Sequence, residues 1–564
     1  MAEGRDEATA YGGPKPYLWT EIFRCFGIAL DPRKLLIAAI GILVMSLGWH
    51  LLSRIFYYAA PVRTTSEYAT DTIAKDYKDK KKAVGVDYTN EDFQIEADKR
   101  FERDYANWKL LNGLAGPDGR LRTMPWYEYR GPNPYFFLTS LAGGDAAEIR
   151  GIFGEFLSGT VPVLVEPLVK LLVPVIKLVD PDASSLTRLY LFLCLVWSVV
   201  TWAFFGGVIT RLAAVQFTGK TRTTVSEAVT FVASRYKDYV LSPMVPVAII
   251  GVVTLVMMAY AFVALIPFVG DVVLYGVGLP LVILGGAVMV VLLIGLVSYP
   301  LMYTTLSVEG TDTFDALSRS YNYVFQAPWN FLWYSLVSIF YGAIVTFFVI
   351  FVGSLTVYMG KWAVSQAPLS EYTNRKPDYL FLYAPETFGW KHLFLKGSPI
   401  EQAESDEKNP TSGRVTRKLV DAKPDVAAEY RTRLYTTEKI GAGMASFWLA
   451  LFALLIVGFS YSYFWSASTM IYLLMRKKVD DLDPDEIYIE EPMPTPSPLV
   501  PPAPAHAPTT TSLPVVPPPL ALPPGVPPFA PPAVPFAPPV VAPAVPTSVA
   551  NDGGVAMDID PKND

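Results

Sequence analysis

The sequence predicts an all-α polytopic membrane protein with about six transmembrane helices, a parallel internal repeat, two external helical or irregular regions and a disordered Pro-rich C-terminal tail. Three observations predict it. Mean hydropathy is +0.31, and charged residues make up only 17% of the chain, against about 25% in soluble globular proteins. Six long runs carry no charge at all. Aromatic residues gather near the ends of those runs, with Tyr57 and Tyr58, Trp329 and Trp333, Tyr358 and Trp362 as the clearest pairs, as in an interfacial belt.

A charge at bilayer depth is costly, so charge-free runs locate the spans. Lys34 to Arg54 encloses 19 residues, Arg188 to Arg211 encloses 22 and Asp238 to Asp271 encloses 32. Asp271 to Glu309 encloses 37, Arg319 to Lys361 encloses 41 and Lys439 to Arg476 encloses 36. About 20 apolar residues cross the hydrocarbon core as a helix, so each run holds one span. The expected spans are 35–57, 189–211, 243–267, 273–302, 330–358 and 445–474.

These spans divide the chain. Residues 1–34 form a cytoplasmic N-terminal segment in which "YLWTEIFRCFGIAL" (17–30) reads as an interfacial helix. Its acids Glu3, Asp6, Glu7 and Glu21 do not suit a cleavable signal peptide. Residues 58–188 form an external region, 189–358 a membrane core of four spans, and 359–444 a second external region. Residues 475–564 form a tail, acidic and then Pro-rich. Orientation follows from basic residues near the span ends. Arg24, Arg33 and Lys34 precede the first span. Lys220, Arg222, Arg235 and Lys237 lie in loop 212–242, and Arg476, Lys477 and Lys478 follow the last span. Six spans put all three clusters on one side, so both termini are expected in the cytoplasm of a multi-pass cell-membrane protein, read as one of a bacterial inner membrane.

Within the first external region, 89–113 reads as a helix with Ala97, Phe101, Tyr105 and Trp108 on one face, packed on a helix near 66–83. Segment 151–179 is apolar but carries Glu155, Glu166, Lys170 and Lys177, and Pro162, Pro167 and Pro174 interrupt it. It reads as an amphipathic segment on the membrane surface, with a Glu166–Lys170 pair at i,i+4. A seventh span is the alternative, and it would invert everything downstream. In the tail, "VDDLDPDEIYIEE" carries seven acids and 492–546 contain 23 prolines. Such a stretch reads as disordered, with polyproline II character. It is either an arm for a protein partner, with Phe529 and Phe536 as contacts, or a semi-rigid spacer.

Two loops resemble each other. Residues 227–240 read "EAVTFVASRYKDYV" and 315–324 read "DALSRSYNYV". Ser234-Arg235 and Tyr239-Val240 match Ser318-Arg319 and Tyr323-Val324 at identical spacing. Glu227-Ala228 matches Asp315-Ala316 if four residues are inserted in the first copy. Each copy reads as an amphipathic cytoplasmic helix turning up into a span. Arg235 and Arg319 are expected to face phosphates or the acids Glu227 and Asp315, and Tyr239 and Tyr323 the headgroups. With the preceding span, "YPLMYTTLSVEGTDTFDALSRSYNYV" resembles the membrane domain associated with glycerophosphoryl diester phosphodiesterases and related bacterial integral-membrane proteins of unknown function. The resemblance covers about 185–358. It implies a membrane module without catalytic residues, since that family's chemistry lies in a separate soluble barrel and nothing in this chain resembles that barrel.

Chemistry is otherwise sparse. There are three histidines, His50, His392 and His506, and two cysteines, Cys25 and Cys194, all far apart. That pattern holds neither a disulfide scaffold nor a Cys/His zinc site, and no cofactor is expected. With 46 basic and 52 acidic residues the net charge is −6, which disfavours nucleic acid as a partner. "AVQFTGKT" (214–221) lacks the first glycine of a phosphate-binding loop. Gly278, Pro280, Gly285 and Gly286 crowd the fourth span. They read either as close helix packing with a kink at Pro280 or as a discontinuous helix lining a substrate site. The interiors of spans two to six carry no ionisable side chain, which counts against charge-coupled transport. The leading expectation is therefore a non-enzymatic scaffold or accessory subunit in a lipid bilayer. The alternative is a permease or channel subunit for a small solute or lipid. The oligomeric state is left open.

Overall fold

The computed structural model describes residues 18–57, 79, 90–116, 119, 121–143, 159–219, 223–263, 265–366, 377–408 and 415–488. The expected helix near 66–83 and the Pro-rich arm with Phe529 and Phe536 lie outside them. Among the described residues six helices are long and apolar enough to cross a membrane: α1 (Pro32–Tyr57), α5 (Ser185–Thr218), α7 (Tyr236–Val263), α8 (Leu279–Leu296), α11 (Pro328–Ser365) and α14 (Thr436–Val479). Between α1 and α5 come α2 (Asn90–Ala115), α3 (Pro134–Gly143) and α4 (Glu166–Leu178). Shorter helices follow: α6 (Val225–Ser234), α9 (Tyr299–Glu309), α10 (Thr313–Gln326), α12 (Trp390–Leu395) and α13 (Pro424–Arg433). One antiparallel hairpin pairs β1 (Gln402–Lys408) with β2 (Val415–Asp421).

Each crossing helix matches one expected span, and most overrun it by a turn or more. Capping explains part of this. Ser184 caps α5 by accepting from Thr187 N–H, five residues before the expected span begins, and Gly219 ends the helix in a left-handed conformation at φ 63°. Capping adds polar turns that a charge-gap count leaves out.

Helices α1, α5 and α14 pack together as the centre of the bundle. Two glycines set the distance. A Cβ on Gly48 of α1 would lie 1.9 Å from the Trp197 ring of α5, and one on Gly458 of α14 would lie 2.9 Å from the Leu35 carbonyl of α1. The Trp49 and Trp197 indoles each donate across to a carbonyl of the facing helix, at Cys194 and Val44. Between α5 and α14 an aromatic column fills the interior. Trp202 stacks on Tyr461 at 4.8 Å, and Tyr303 stacks on Trp465 at 5.3 Å.

The internal repeat has a structural counterpart. Helices α5 and α9 both end at a left-handed glycine, Gly219 and Gly310. Both are followed by a capped amphipathic helix, α6 with Thr224 and α10 with Asp312 as caps. In each, the acid of the repeat, Glu227 or Asp315, sits three residues after its cap. The copies then diverge. Helix α6 stops at Ser234, so Tyr239 belongs to the next helix, whereas Arg319 and Tyr323 lie inside α10.

The fourth span departs from expectation. Pro280 sits in the first turn of α8, where a missing N–H costs nothing. The expected span 273–302 is interrupted at Gly278, between a π-helical segment (Val269–Val277) and α8, and again at Ser298, where α9 starts with Pro300 in its first turn.

Candidate functional site

One cluster of ionisable groups enters the bundle from outside the expected spans. Segment 159–178 packs one face on the bundle. Helix α4 buries Glu166, Pro167, Leu171 and Pro174 and packs along α5. Leu164, just before it, lies against Gly342 of α11, and the Tyr299 hydroxyl of α9 donates to the Pro167 carbonyl at 3.4 Å. The segment is amphipathic as expected, but a carboxylate on it faces inward. The Glu166–Lys170 pair forms at 2.6 Å.

Around Glu166 a four-charge node closes. Arg130 approaches it with two nitrogens, Nε at 2.9 Å and Nη2 at 3.0 Å. Arg130 also reaches Glu128 at 2.5 Å, the Pro125 carbonyl, and Thr387 Oγ1 at 3.0 Å. Lys170 bridges Glu166 and Glu128, and the Tyr461 hydroxyl of α14 donates to Glu166 at 3.1 Å. Two positive and two negative groups balance. The Arg130 side chain is only 3% exposed. Burial pushes the Glu166 carboxyl up, but the Arg130 and Lys170 charges outweigh it and hold the group well below the usual carboxylate range. The planar guanidinium suits this bidentate contact, which a lysine would not reproduce.

Helix positions give the depth of the node. Tyr461 precedes Arg476 by fifteen residues, about 22 Å along α14 at 1.5 Å per residue. Trp202, stacked on Tyr461, precedes Arg211 by nine, about 14 Å along α5. The node, where residues 121–133 and the 387 turn meet α4 and α14, therefore lies about 14–22 Å from the basic end. The spans themselves contribute only tyrosine to it. A count of charges along the spans therefore misses it. The signal that was present is the run of proline and paired charges at Glu166–Lys170.

The node also joins the two expected external regions. Trp126 O accepts from the backbone N–H groups of Glu386 and Thr387. Asn133 donates to Ser354 of α11 and to the Phe388 carbonyl, and the Trp390 indole donates to the same Ser354 hydroxyl. Lys361 pairs with Asp378 at 2.8 Å. The Phe388–Gly389 turn runs at φ 56° and 63°. A Cβ on Gly389 would stand 3.0 Å from Asn133 N, which explains the glycine. Residues 121–133 and 377–395 thus form one cap on the end of the bundle opposite the arginine-rich helices. The two histidines within the described residues serve packing. His50 contacts the Arg122 carbonyl, and the His392 ring lies on Phe136. Among the described residues no group of His, Cys, Asp and Glu could hold a metal.

The residues singled out in the repeat sit at the other, basic end. Arg319 pairs with Asp315 at 3.1 Å, and its guanidinium lies 4.0 Å from Glu309. Arg235 does not reach Glu227, which is occupied in the capping box of α6. Its guanidinium lies instead over Phe231 at 4.4 Å and donates to the Gly310 carbonyl. Tyr239 and Tyr323 do not face headgroups. Both are buried, and they bond Ser307 at 2.8 Å and Asp480 at 2.5 Å respectively. A buried tyrosine needs a partner for its hydroxyl, and each helix turns its tyrosine toward one. Gly278 and Gly285 are packing positions against α7, where an added Cβ would meet Tyr260 and Met257. Nothing lies within 4 Å of such a Cβ on Gly286.

No protein-family model, curated protein or solved structure matches this chain.

Proposed function

We propose that the chain is a non-enzymatic scaffold or accessory subunit of a membrane, built to hold a folded cap against one end of a helix bundle. One observation carries the reading. The buried node is saturated by the protein itself: Glu166 accepts from Arg130, Lys170 and Tyr461, and Arg130 is spent on Glu166, Glu128, Pro125 and Thr387. A site meant for a solute keeps polar capacity for it, whereas these groups are used to join 121–133, α4, the 387 turn and α14. Aromatic side chains fill the bundle on the basic side of the node. In this reading the basic end is cytoplasmic, the cap is external, and the tail beyond 491 is an arm for a protein partner through Phe529 and Phe536. The resemblance of 185–358 to the phosphodiesterase-associated membrane domain agrees with a module that carries no chemistry.

A second reading, a permease or channel subunit, is favoured by the break at Ser298. It places the start of α9 inside the bundle beside Pro167 and near a charged node, as in discontinuous transporter helices. Solute flux through vesicles containing the purified protein separates the two. The scaffold reading expects none above protein-free vesicles. Flux that Ser298→Trp abolishes would replace it. Orientation is read by cysteine labelling, with little background because Cys25 and Cys194 are buried. Asp182→Cys should label from outside intact cells and Lys478→Cys should not. Deleting 492–564 should leave thermal stability unchanged and remove only partner binding.

A further inference from the structure

After α14 ends at Val479 the chain reverses through Asp481, a non-glycine residue at φ 54°. Residues 480–488 then cross the basic end of the bundle as a strap without helix or strand. None of them is buried, and Tyr488 is 43% exposed, so little apolar surface holds the strap in place. What holds it is a set of bonds to groups that are themselves buried. Arg476 of α14 is 1% exposed, and its Nη2 donates to the carbonyls of Asp483 and Glu486 at 2.7 and 2.5 Å. The buried Tyr323 of α10 donates its hydroxyl to Asp480 at 2.5 Å. Tyr488 N–H donates at 2.7 Å to the Val308 carbonyl, in the last turn of α9, where carbonyls lack an intrahelical donor.

These bonds meet where the two copies of the repeat come together. Arg476 Nη1 donates to Glu309, the last residue of α9, at 2.6 Å. Glu309 also accepts from Tyr472 at 3.2 Å and lies 4.0 Å from the Arg319 guanidinium of α10. The Tyr488 ring lies against Phe231 of α6 and under the Arg235 guanidinium. Gly310 makes room for that ring, since a Cβ there would stand 2.7 Å from it. Lifting the strap takes two carbonyl acceptors from Arg476 and one carboxylate from Tyr323. Buried donors stripped of their acceptors cost more than the bonds are worth, so the ends of α9, α10 and α6 must readjust when the strap leaves.

We propose that residues 480–488 are a releasable clasp that couples the start of the tail to both copies of the repeat. Closed, it fixes the end of α9 against α10 and α6. Open, it lets the three loosen together. The coupling is reciprocal: whatever draws the strap away loosens the repeat, and whatever loosens the repeat favours the open strap. Its use rests on the reading of the tail as an arm for a protein partner, because a partner that takes hold beside Tyr488 competes with the Val308 carbonyl and the Phe231 ring. The clasp itself needs no partner. Its test uses none, so its failure is separate from any failure of the arm reading.

Hydrogen exchange of the full-length protein in vesicles of one zwitterionic lipid provides that test. In the parent protein Tyr488 N–H should be protected. Tyr488→Ala should quicken exchange about tenfold or more across 480–488, and should also quicken it in 225–234 and 313–326, one segment from each copy. Tyr323→Phe, which removes only the hydroxyl that reaches Asp480, should quicken 480–488 as well. Exchange in the cap at 387–395 should stay as in the parent in both variants. Acceleration confined to 480–488 in Tyr488→Ala would overturn the clasp. Acceleration that extends to 387–395 would also overturn it, as the mark of general loosening. Deleting 492–564 should leave all four segments unchanged; faster exchange at 225–234 or 313–326 would assign the hold to the tail instead of the strap.

Discussion

The α1–α5–α14 centre and the α7–α8 hairpin are both made of long apolar helices, but apolarity and burial run in opposite directions between them. Helix α5 has a mean hydropathy of 2.1 over its apolar stretch, and 61% of that stretch is buried in the protein. Helix α8 reaches 2.8, and only 11% is buried. In water the most apolar helix would be the most hidden. In a bilayer the lipid tails are as apolar as leucine, so apolar side chains gain nothing by leaving them. What moves a helix inward is close packing, aromatic stacking and polar groups that must be satisfied. Helix α5 has all three, with Trp197, Trp202 and Thr210 each engaged across the bundle. The hairpin meets the rest of the protein chiefly at its basic end, where Tyr321 of α10 bonds the Leu292 carbonyl of α8.

The largest way to break this contrast is to remove a polar tie from the centre. Arg130→Met should destabilise the bundle by about 3–5 kcal/mol, because it leaves Glu166 and Glu128 opposite Lys170 alone in a buried site. Thermal unfolding in detergent reads the loss. Adding Glu166→Gln to Arg130→Met should recover part of it, since the uncompensated charge is then gone. A loss no larger than that of a hairpin substitution would mean that the centre is not held by its node.

Acid should reach the same group more gently. The folded Glu166 carboxyl titrates below its unfolded value, so its stabilising effect is complete above the unfolded value, about 4.3, and is lost as pH falls toward the folded one. The melting temperature should therefore hold steady from pH 7 to about 5 as far as this group decides it, and begin to fall below about pH 4.3. Glu166→Gln should start lower and lose less over the same acid range. If the parent and Glu166→Gln fell in parallel, the acid sensitivity would belong to other carboxylates.

How much of this was legible in the sequence follows from the same contrast. The crossing helices were, because a charge-free run is a local property, and six such runs correspond to six helices. The break at Ser298 was not, since Pro280 is the more conspicuous signal and only the buried start of α9 shows that Pro300 marks the interruption. The node was half legible. Glu166 and Lys170 stand out at i,i+4 in a proline-broken apolar segment. Their partner Arg130 lies 36 residues away, in a stretch with no periodicity to place it. Tyr461 sits 295 residues away, inside a span where tyrosine is unremarkable. The repeat was legible as a pattern of residues, but the partners of Tyr239 and Tyr323 are Ser307 of α9 and Asp480 just after α14, which no spacing within the repeat specifies.

A matched pair of alanine substitutions sharpens the comparison at one atom. A Cβ on Gly206 of α5 would lie 2.8 Å from the Trp465 ring, which is itself stacked and cannot retreat. Gly206→Ala should cost about 1–3 kcal/mol as overpacking. On α8 a Cβ at Gly285 would lie 2.7 Å from Met257 Sδ. That contact is equally short, but thioether side chains adapt readily, so Gly285→Ala should cost less than about 1 kcal/mol. Similar losses at the two positions would mean that the hairpin interface is as rigid as the centre.

The smallest effect expected has the opposite sign. Gly286 follows Gly285 in the same helix, and an added Cβ there meets nothing within 4 Å. With no contact to lose, the only consequences are local. Alanine is favoured over glycine inside a helix by about 0.5–1 kcal/mol, because glycine loses more backbone freedom on folding. Part of that preference is already met in a bilayer, where the helix is the only way to satisfy the backbone of a spanning segment. Gly286→Ala should therefore raise the unfolding temperature slightly or leave it unchanged, and any flux should be unaffected. A clear loss of stability would show that a second copy or a partner subunit packs on this face in the membrane. The exposed side of the hairpin would then be an interface rather than a surface for lipid.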